Sequence, residues 1–147
     1  MRPLVYEHCR LLLSRWRLDL KMVEDGAQAV RAAVAIEFDL VLMDLQMPVM
    51  NGFDATLGIR RFEADNPSRR RAPVVAYTSD DADDIDRQVR DVGMDAVLHK
   101  PCAPQSMCQL LHRWGSGRLD RVRKAVCDGQ CCGVGPTDQG SRTAAAR

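Results

Sequence analysis

Three polar side chains in this sequence could together carry out phosphoryl transfer. Asp44, Thr78 and Lys100 each stand at the end of a predicted buried strand. A carboxylate is a nucleophile that can form an acyl phosphate. A hydroxyl and an ammonium group can hydrogen-bond phosphoryl oxygens and offset their charge. Each residue alone has a simpler explanation, such as a helix cap for a strand-end aspartate, so the prediction depends on all three meeting.

The elements that must position these residues alternate between strand and helix patterns, which predicts a parallel α/β sheet. Ligands bind beyond the carboxyl ends of the strands in such a sheet, so we expect the three side chains in one crevice. Alternation or continuous apolar runs predict strands at 18–22, 40–43, 73–77 and 96–99. Apolar stripes or capping residues predict helices at 27–36, 53–62, 79–93 and 105–114.

Two turns beside the candidate site also carry predictions. The loop 47–52 contains Pro48 and ends in Gly52, which can adopt a backbone angle that other residues resist. The sequence Lys100-Pro101 suggests a cis peptide bond that aims the lysine, a hypothesis that a trans bond would end.

These motifs resemble those of one family. Residues 39–52, DLVLMDLQMPVMNG, resemble the phosphoacceptor region of response-regulator receiver domains, especially those attached to hybrid sensor histidine kinases. Residues 73–78 resemble the family's fourth strand with its switch threonine, and residues 93–101 its fifth strand with its lysine. The resemblance covers about residues 2–114 and implies a flavodoxin-like (βα)5 fold. It implies that Asp44 accepts a phosphoryl group from a histidine kinase or a histidine phosphotransfer domain. Thr78 would then rotate toward the phosphoryl group and Lys100 would pair with it.

The resemblance also implies a bound Mg²⁺ ion. Asp44 and the backbone carbonyl of Gln46 would be two of its ligands, and an acidic pair at the end of the first strand would supply the others. Counting back from Asp44 without gaps places the second acid of this pair at Met1. We therefore predict that the chain is truncated, that its first strand and acidic pair are absent, and that Mg²⁺ binding is weakened or lost.

An alternative keeps the first strand. The segment Leu4-Val5-Tyr6-Glu7 is a conceivable replacement, with Glu7 as the acid. This assignment leaves the predicted first helix, whose apolar stripe runs from Val5 to Trp16, about two turns short. We therefore prefer truncation.

A second departure from the family is Val97, the position where receivers usually carry an aromatic residue that moves inward with the threonine. Valine cannot report the switch in that way. The missing acids and Val97 leave open a degenerate pseudo-receiver that acts only through protein–protein contact. A small-molecule phosphatase on a similar fold would need a carboxylate at Gln46, and glutamine cannot supply one.

Length and composition limit the remaining possibilities. The 147 residues allow one receiver domain over 1–114, lacking its first strand, and a polar segment over 115–147 that is expected to be a disordered tail. A net charge of +1 gives no support to nucleic-acid binding. No apolar run reaches the roughly 18 residues of a membrane span. We expect a cytoplasmic signalling module that is not an enzyme, and the sequence does not fix its oligomeric state.

Overall fold

The predicted apolar runs form strands of one parallel sheet. The computed structural model describes the backbone of residues 3–6 and the whole of residues 20–114. The strand order is β2-β1-β3-β4-β5, and every neighbouring pair is parallel. This is the order of flavodoxin-like folds, which confirms the predicted α/β class. The strands are β1 (Pro3–Tyr6), β2 (Lys21–Val23), β3 (Leu40–Asp44), β4 (Val74–Thr78) and β5 (Ala96–His99).

The prediction that the first strand is missing is wrong. β1 lies in the centre of the sheet, with Leu4 in register with Lys21 on one side and Val41 on the other. Without a strand here, β2 and β3 would each lose a row of hydrogen bonds, and buried unpaired backbone groups cost about 1–3 kcal/mol apiece. The pairing of β1 with both neighbours therefore decides the conformation of this segment, against the helical spacing of apolar residues that predicted a helix from Val5. Pro3 is the first residue of the strand, a position where its missing N–H is tolerated.

Two other predictions about this end of the chain lie outside the described residues. They are the remainder of the predicted first helix and the role of Glu7 as a replacement acid. The predicted tail at 115–147 is likewise outside the part of the chain that the structure describes.

Four helices follow the strands within the described residues: α1 (Gly26–Ala35), α2 (Gly52–Asp65), α3 (Ile85–Asp91) and α4 (Pro104–Trp114). Asp25 caps α1 by accepting a hydrogen bond from the backbone of Gln28 at 2.7 Å. Asn51 caps α2 in the same way, accepting from Asp54 at 2.8 Å. Both caps satisfy amide groups that the first turn of a helix leaves unpaired.

Helix α3 is much shorter than the predicted 79–93. The Thr78 hydroxyl accepts a hydrogen bond from the backbone of Asp80, and the Asp80 carboxylate accepts one from the backbone of Ala82. Such local bonds between side chains and backbone compete with helix formation, so the helix begins only at Ile85. The acidic residues that suggested an earlier helix start belong instead to an irregular loop.

The core lies on both faces of the sheet, and β3 and β4 are buried along their whole lengths. One cluster joins Val41, Met43 and the neighbouring strand residues to α1, α2 and α3. The other joins Leu40, Leu42 and Tyr77 to α4. This two-sided burial is what the continuous apolar runs predicted for a parallel sheet.

Arg60 holds together the end of the sheet opposite the candidate site. Its guanidinium donates to the carbonyls of Gly93 and Ala72, both at 2.9 Å. It also pairs with Glu63 at 2.7 Å and Asp95 at 3.2 Å. Helix α2 ends at Asp65, past the predicted end at residue 62, and Glu63 in this added turn is one of the partners of Arg60.

No helix among the described residues is both long enough and apolar enough to cross a membrane.

Candidate functional site

The three predicted residues meet at the carboxyl ends of neighbouring strands. Asp44 is the last residue of β3, Thr78 is the last residue of β4, and Lys100 directly follows β5. All three line one open cavity of ≈ 520 Å³, together with Gln46 and Pro101. The sheet therefore gathers into one crevice side chains that lie far apart in the sequence.

Asp44 is a buried carboxylate with both oxygens engaged. It is 3% exposed, and its Oδ1 accepts a hydrogen bond from the backbone N–H of Gln46 at 2.9 Å. Its Oδ2 contacts the Lys100 ammonium at 2.5 Å. A buried charge is costly unless it is paired and hydrogen-bonded, and this one is both. The carboxylate is consequently held in a fixed position at the cavity.

Lys100 reaches Asp44 from two strands away. Its backbone N–H donates to the carbonyl of Thr78 at 2.7 Å, which fixes the point where the chain leaves the sheet. The Lys100–Pro101 peptide bond is cis, as hypothesised. The ammonium group also lies 4.9 Å from the centroid of the Tyr77 ring. The lysine thus touches both the carboxylate and an aromatic face.

Thr78 is 2% exposed and contributes a hydroxyl to the cavity. The hydroxyl oxygen accepts a hydrogen bond from the backbone of Asp80 at 3.0 Å. That bond uses the oxygen as an acceptor, so the hydroxyl proton can be donated to another oxygen. The arrangement suits a group that is to hydrogen-bond a phosphoryl oxygen.

The loop after Asp44 corrects the prediction made for Gly52. The left-handed backbone angle in this loop is at Val49, with φ of 66°, and not at Gly52. Gly52 is required for a different reason. A Cβ atom there would lie 2.3 Å from the carbonyl oxygen of Asp44. The start of α2 is therefore pressed against the end of β3, and only glycine allows that approach.

Further backbone bonds close this loop. Pro48 is exposed, and its carbonyl accepts from the N–H of Met50 at 2.7 Å. The carbonyl of Met50 accepts in turn from Gly26 at 3.1 Å, which ties the loop to α1. The N–H of Gly52 donates to the carbonyl of Leu45 at 3.2 Å. The loop after Asp44 is thus held by backbone hydrogen bonds within itself, to α1 and to the residue that follows β3.

Val97 lies in β5, partly buried against the core cluster that contains Val74 and Ala76. It does not line the cavity, and its role as a switch position stays a prediction. Tyr77 does line the cavity, and the sequence reasoning missed it because it appeared only as an apolar strand residue. Its place in register with Asp44 is set by the pairing of β3 and β4, for which the sequence carries no local signal.

The described site offers magnesium one carboxylate and one backbone carbonyl, from Asp44 and Gln46. Protein sites often hold Mg²⁺ through one or two carboxylates, with phosphate oxygens and water completing its shell. The described residues therefore fit such an ion in part. Among the residues that the structure describes, no group of three His, Cys, Asp or Glu side chains is placed to hold a metal.

Comparison with known proteins identifies what this site resembles. Residues 2–112 match the family described as the response regulator receiver domain. Sensor protein GacS of Pseudomonas syringae pv. syringae is 38% identical over 103 residues, which are 70% of this chain and 11% of that protein. Signal transduction histidine-protein kinase BarA of Shigella flexneri is 35% identical over 105 residues, with the same two shares. The chain therefore spans only a small part of these curated relatives.

Two solved structures are similar along most of their own length. One is the receiver domain of sensor histidine kinase PA1611 from Pseudomonas aeruginosa PAO1, solved with a magnesium ion coordinated in its active site cleft. It has a TM-score of 0.67 and 30% identity, covering 77% of this chain and 95% of that one. The other is the Saccharomyces cerevisiae complex of the histidine phosphotransfer protein Ypd1 with the receiver domain of Ssk1. It has a TM-score of 0.70 and 25% identity, covering 88% and 94%.

Proposed function

Because the chain belongs to the response regulator receiver domain family, we propose that Asp44 is its phosphoacceptor in a two-component His–Asp phosphorelay. One observation carries this assignment. The Asp44 carboxylate and the Lys100 ammonium meet at 2.5 Å in a cavity that Thr78 also lines. The domain is a signalling module and not an enzyme that acts on external substrates.

The proposed step uses all three side chains. A carboxylate oxygen of Asp44 attacks the phosphorus of a phosphohistidine, forming an O–P bond while the P–N bond breaks. The electron pair of that bond leaves with the imidazole nitrogen, and the product on this chain is an aspartyl phosphate. Lys100 and Thr78 then donate hydrogen bonds to the phosphoryl oxygens, where the charge of the transferred group accumulates.

Magnesium is the cofactor that we assign to the site, where the Asp44 carboxylate and the Gln46 backbone carbonyl would hold it. When bound, the ion offsets the negative charge of the phosphoryl oxygens. Among the described residues that line the cavity, Asp44 carries the only carboxylate. Glu7, the proposed replacement acid, lies outside the described residues, so the weakened binding expected from a missing acidic pair stays a prediction. Chelation with EDTA should abolish phosphorylation.

The phosphoryl donor is a histidine kinase or a histidine phosphotransfer domain. This assignment is supported by the similarity to histidine-protein kinase BarA, to the receiver domain of sensor histidine kinase PA1611 and to a receiver solved in complex with a phosphotransfer protein. We further propose that the relay is bacterial, as the organisms of GacS and BarA suggest, and that it operates in the cytoplasm.

The pseudo-receiver alternative was left open by the missing acids and by Val97. The acids were expected to be missing together with the first strand, and β1 is present, so this alternative is the weaker of the two. A single phosphorylation experiment separates the two functions.

The experiment is phosphotransfer from a ³²P-labelled histidine phosphotransfer domain to the full chain with Mg²⁺ present. We expect label on the unmodified chain and none on Asp44→Asn. The matched control is Asp80→Asn, an exposed aspartate two residues past Thr78, which should accept label normally. Equal labelling of Asp44→Asn and the unmodified chain would refute the assignment. No labelling from this donor or from acetyl phosphate, in a chain shown to be folded, would favour the pseudo-receiver.

A further inference from the structure

We propose that Tyr77 is a positioning residue that holds the Lys100 ammonium against Asp44 through the face of its ring, an inference that rests on the phosphoacceptor function above. The ammonium nitrogen lies 4.9 Å from the ring centroid and 2.5 Å from Asp44 Oδ2. One cation therefore contacts the ring and the phosphoacceptor at the same time. Nothing in the predicted site had given Tyr77 a role.

The topology of the sheet requires the lysine to pass this residue. Lys100 follows β5, Asp44 ends β3, and β4 lies between them. Neighbouring strands are about 4.8 Å apart, so the lysine must span roughly twice that distance to reach the carboxylate. The β4 residue in register with Asp44 is Tyr77. Its ring therefore belongs to the strand that the lysine must cross, and the ammonium group lies 4.9 Å from the ring centroid.

The ring is a rigid surface for this contact. Tyr77 is 7% exposed and packs in the cluster that contains Leu42 and Met107. A lysine side chain, in contrast, has four rotatable carbons and a charge that points equally well into solvent. The Lys100 side chain is 27% exposed, so water competes for its ammonium. The negative face of an aromatic ring attracts a cation within about 6 Å, which favours the rotamers that stay over β4.

An aliphatic residue at position 77 would fill the core but would not attract the ammonium group. In Tyr77→Leu we therefore expect Lys100 to spend more time in solvent and less beside Asp44. Typical cation–π energies correspond to a loss on the order of three- to tenfold in the phosphorylation rate. Tyr77→Phe keeps the ring face and should retain most of the rate.

The first test is the rate of phosphorylation of the full chain by acetyl phosphate with Mg²⁺. We expect the unmodified chain and Tyr77→Phe to be phosphorylated at similar rates and Tyr77→Leu to be phosphorylated more slowly. Phe38→Leu is the matched control, because it removes a buried ring that precedes β3, at the opposite end of that strand from Asp44. It should leave the rate unchanged below its unfolding temperature. In a Lys100→Ala background, Tyr77→Leu should cause no further loss, since the residue acts through the lysine.

The second test does not depend on phosphorylation. The ring current of Tyr77 should move the NMR signals of the Lys100 ε-protons upfield in the unmodified chain and in Tyr77→Phe, but not in Tyr77→Leu. Absence of that shift in the unmodified chain would overturn the inference even if every variant failed to fold. A Tyr77→Phe variant as slow as Tyr77→Leu would also overturn it. If the ring-current shift is present but Asp44 accepts no phosphoryl group, the positioning contact stands and the proposed function fails.

Discussion

Replacing Gly52 with alanine tests how closely α2 approaches the phosphoacceptor strand. The added Cβ would lie 2.3 Å from the carbonyl oxygen of Asp44 and 3.0 Å from the Cα of Leu45. Both atoms belong to the backbone, so no side chain can rotate out of the way. A carbon normally stays about 3.3 Å or more from a carbonyl oxygen, and the helix must therefore move by about 1 Å.

The cost of that movement can be worked out from its parts. Overpacking of this kind costs about 1–3 kcal/mol. Moving the helix also strains the hydrogen bond from Gly52 to Leu45, which is 3.2 Å long and contributes about 1 kcal/mol. We therefore expect Gly52→Ala to lower the free energy of unfolding by about 3 kcal/mol.

The measurement is urea unfolding followed by circular dichroism, and Gly58→Ala on the same helix is the control. A Cβ at Gly58 would meet a methyl group of Val30 at 3.2 Å, which is a side-chain contact that can yield. Alanine also gains up to about 1 kcal/mol over glycine inside a helix. Gly58→Ala should therefore lie within about 1 kcal/mol of the unmodified chain. If Gly52→Ala were as stable as Gly58→Ala, the close approach of α2 to β3 would be refuted.

Three further changes and one control have defined outcomes. Val49→Asn should raise the free energy of unfolding, measured by urea denaturation, by about 1 kcal/mol. Asparagine tolerates the left-handed backbone angle at this position, and the replaced side chain is 86% exposed. An unchanged or lower free energy of unfolding would contradict this. Arg60→Met should lower it by about 2 kcal/mol, because the Ala72 carbonyl and one oxygen of the part-buried Glu63 carboxylate lose their donor. The control Arg87→Met removes an exposed ion pair and should change the free energy of unfolding by less than about 0.5 kcal/mol. Equal losses in Arg60→Met and Arg87→Met would refute the larger contribution of Arg60. Thr78→Val should slow phosphorylation by acetyl phosphate about a hundredfold, and an unchanged rate would exclude Thr78 from phosphoryl contact.

The three chemical residues were predictable because they follow signals that one sequence carries. Asp44 and Thr78 end runs that are apolar on both faces, and the order of such strands fixes which ends meet. The sequence did not predict that the Lys100 side chain crosses β4 to reach Asp44, which the structure shows. Roles in phosphoryl transfer stay predictions until they are measured.

The first strand was not predictable in the same way, because two local patterns competed for residues 3–6. A helical stripe including Val5 favoured one assignment, and the pairing needs of β2 and β3 favoured the other. Pairing is a tertiary effect that periodicity does not contain. Counting back from Asp44 without gaps also assumed a fixed spacing between strands.

Two other features were missed for reasons of three-dimensional proximity. Gly52 was assigned an unusual backbone angle, whereas its actual constraint is the nearby backbone of Asp44. Tyr77 looked like an ordinary core residue until the register placed it beside Asp44. Close approach and cross-strand register depend on the assembled sheet, and neither has a local sequence signal.

The identity of the acceptor residue is the central claim, and one chemical measurement tests it most directly. The full chain is phosphorylated with acetyl phosphate and Mg²⁺ and then treated with borohydride, which reduces an acyl phosphate to an alcohol. Sequencing of the peptides by mass spectrometry should find homoserine at position 44. Homoserine at Asp80 or at another aspartate, with Asp44 unchanged, would contradict the account.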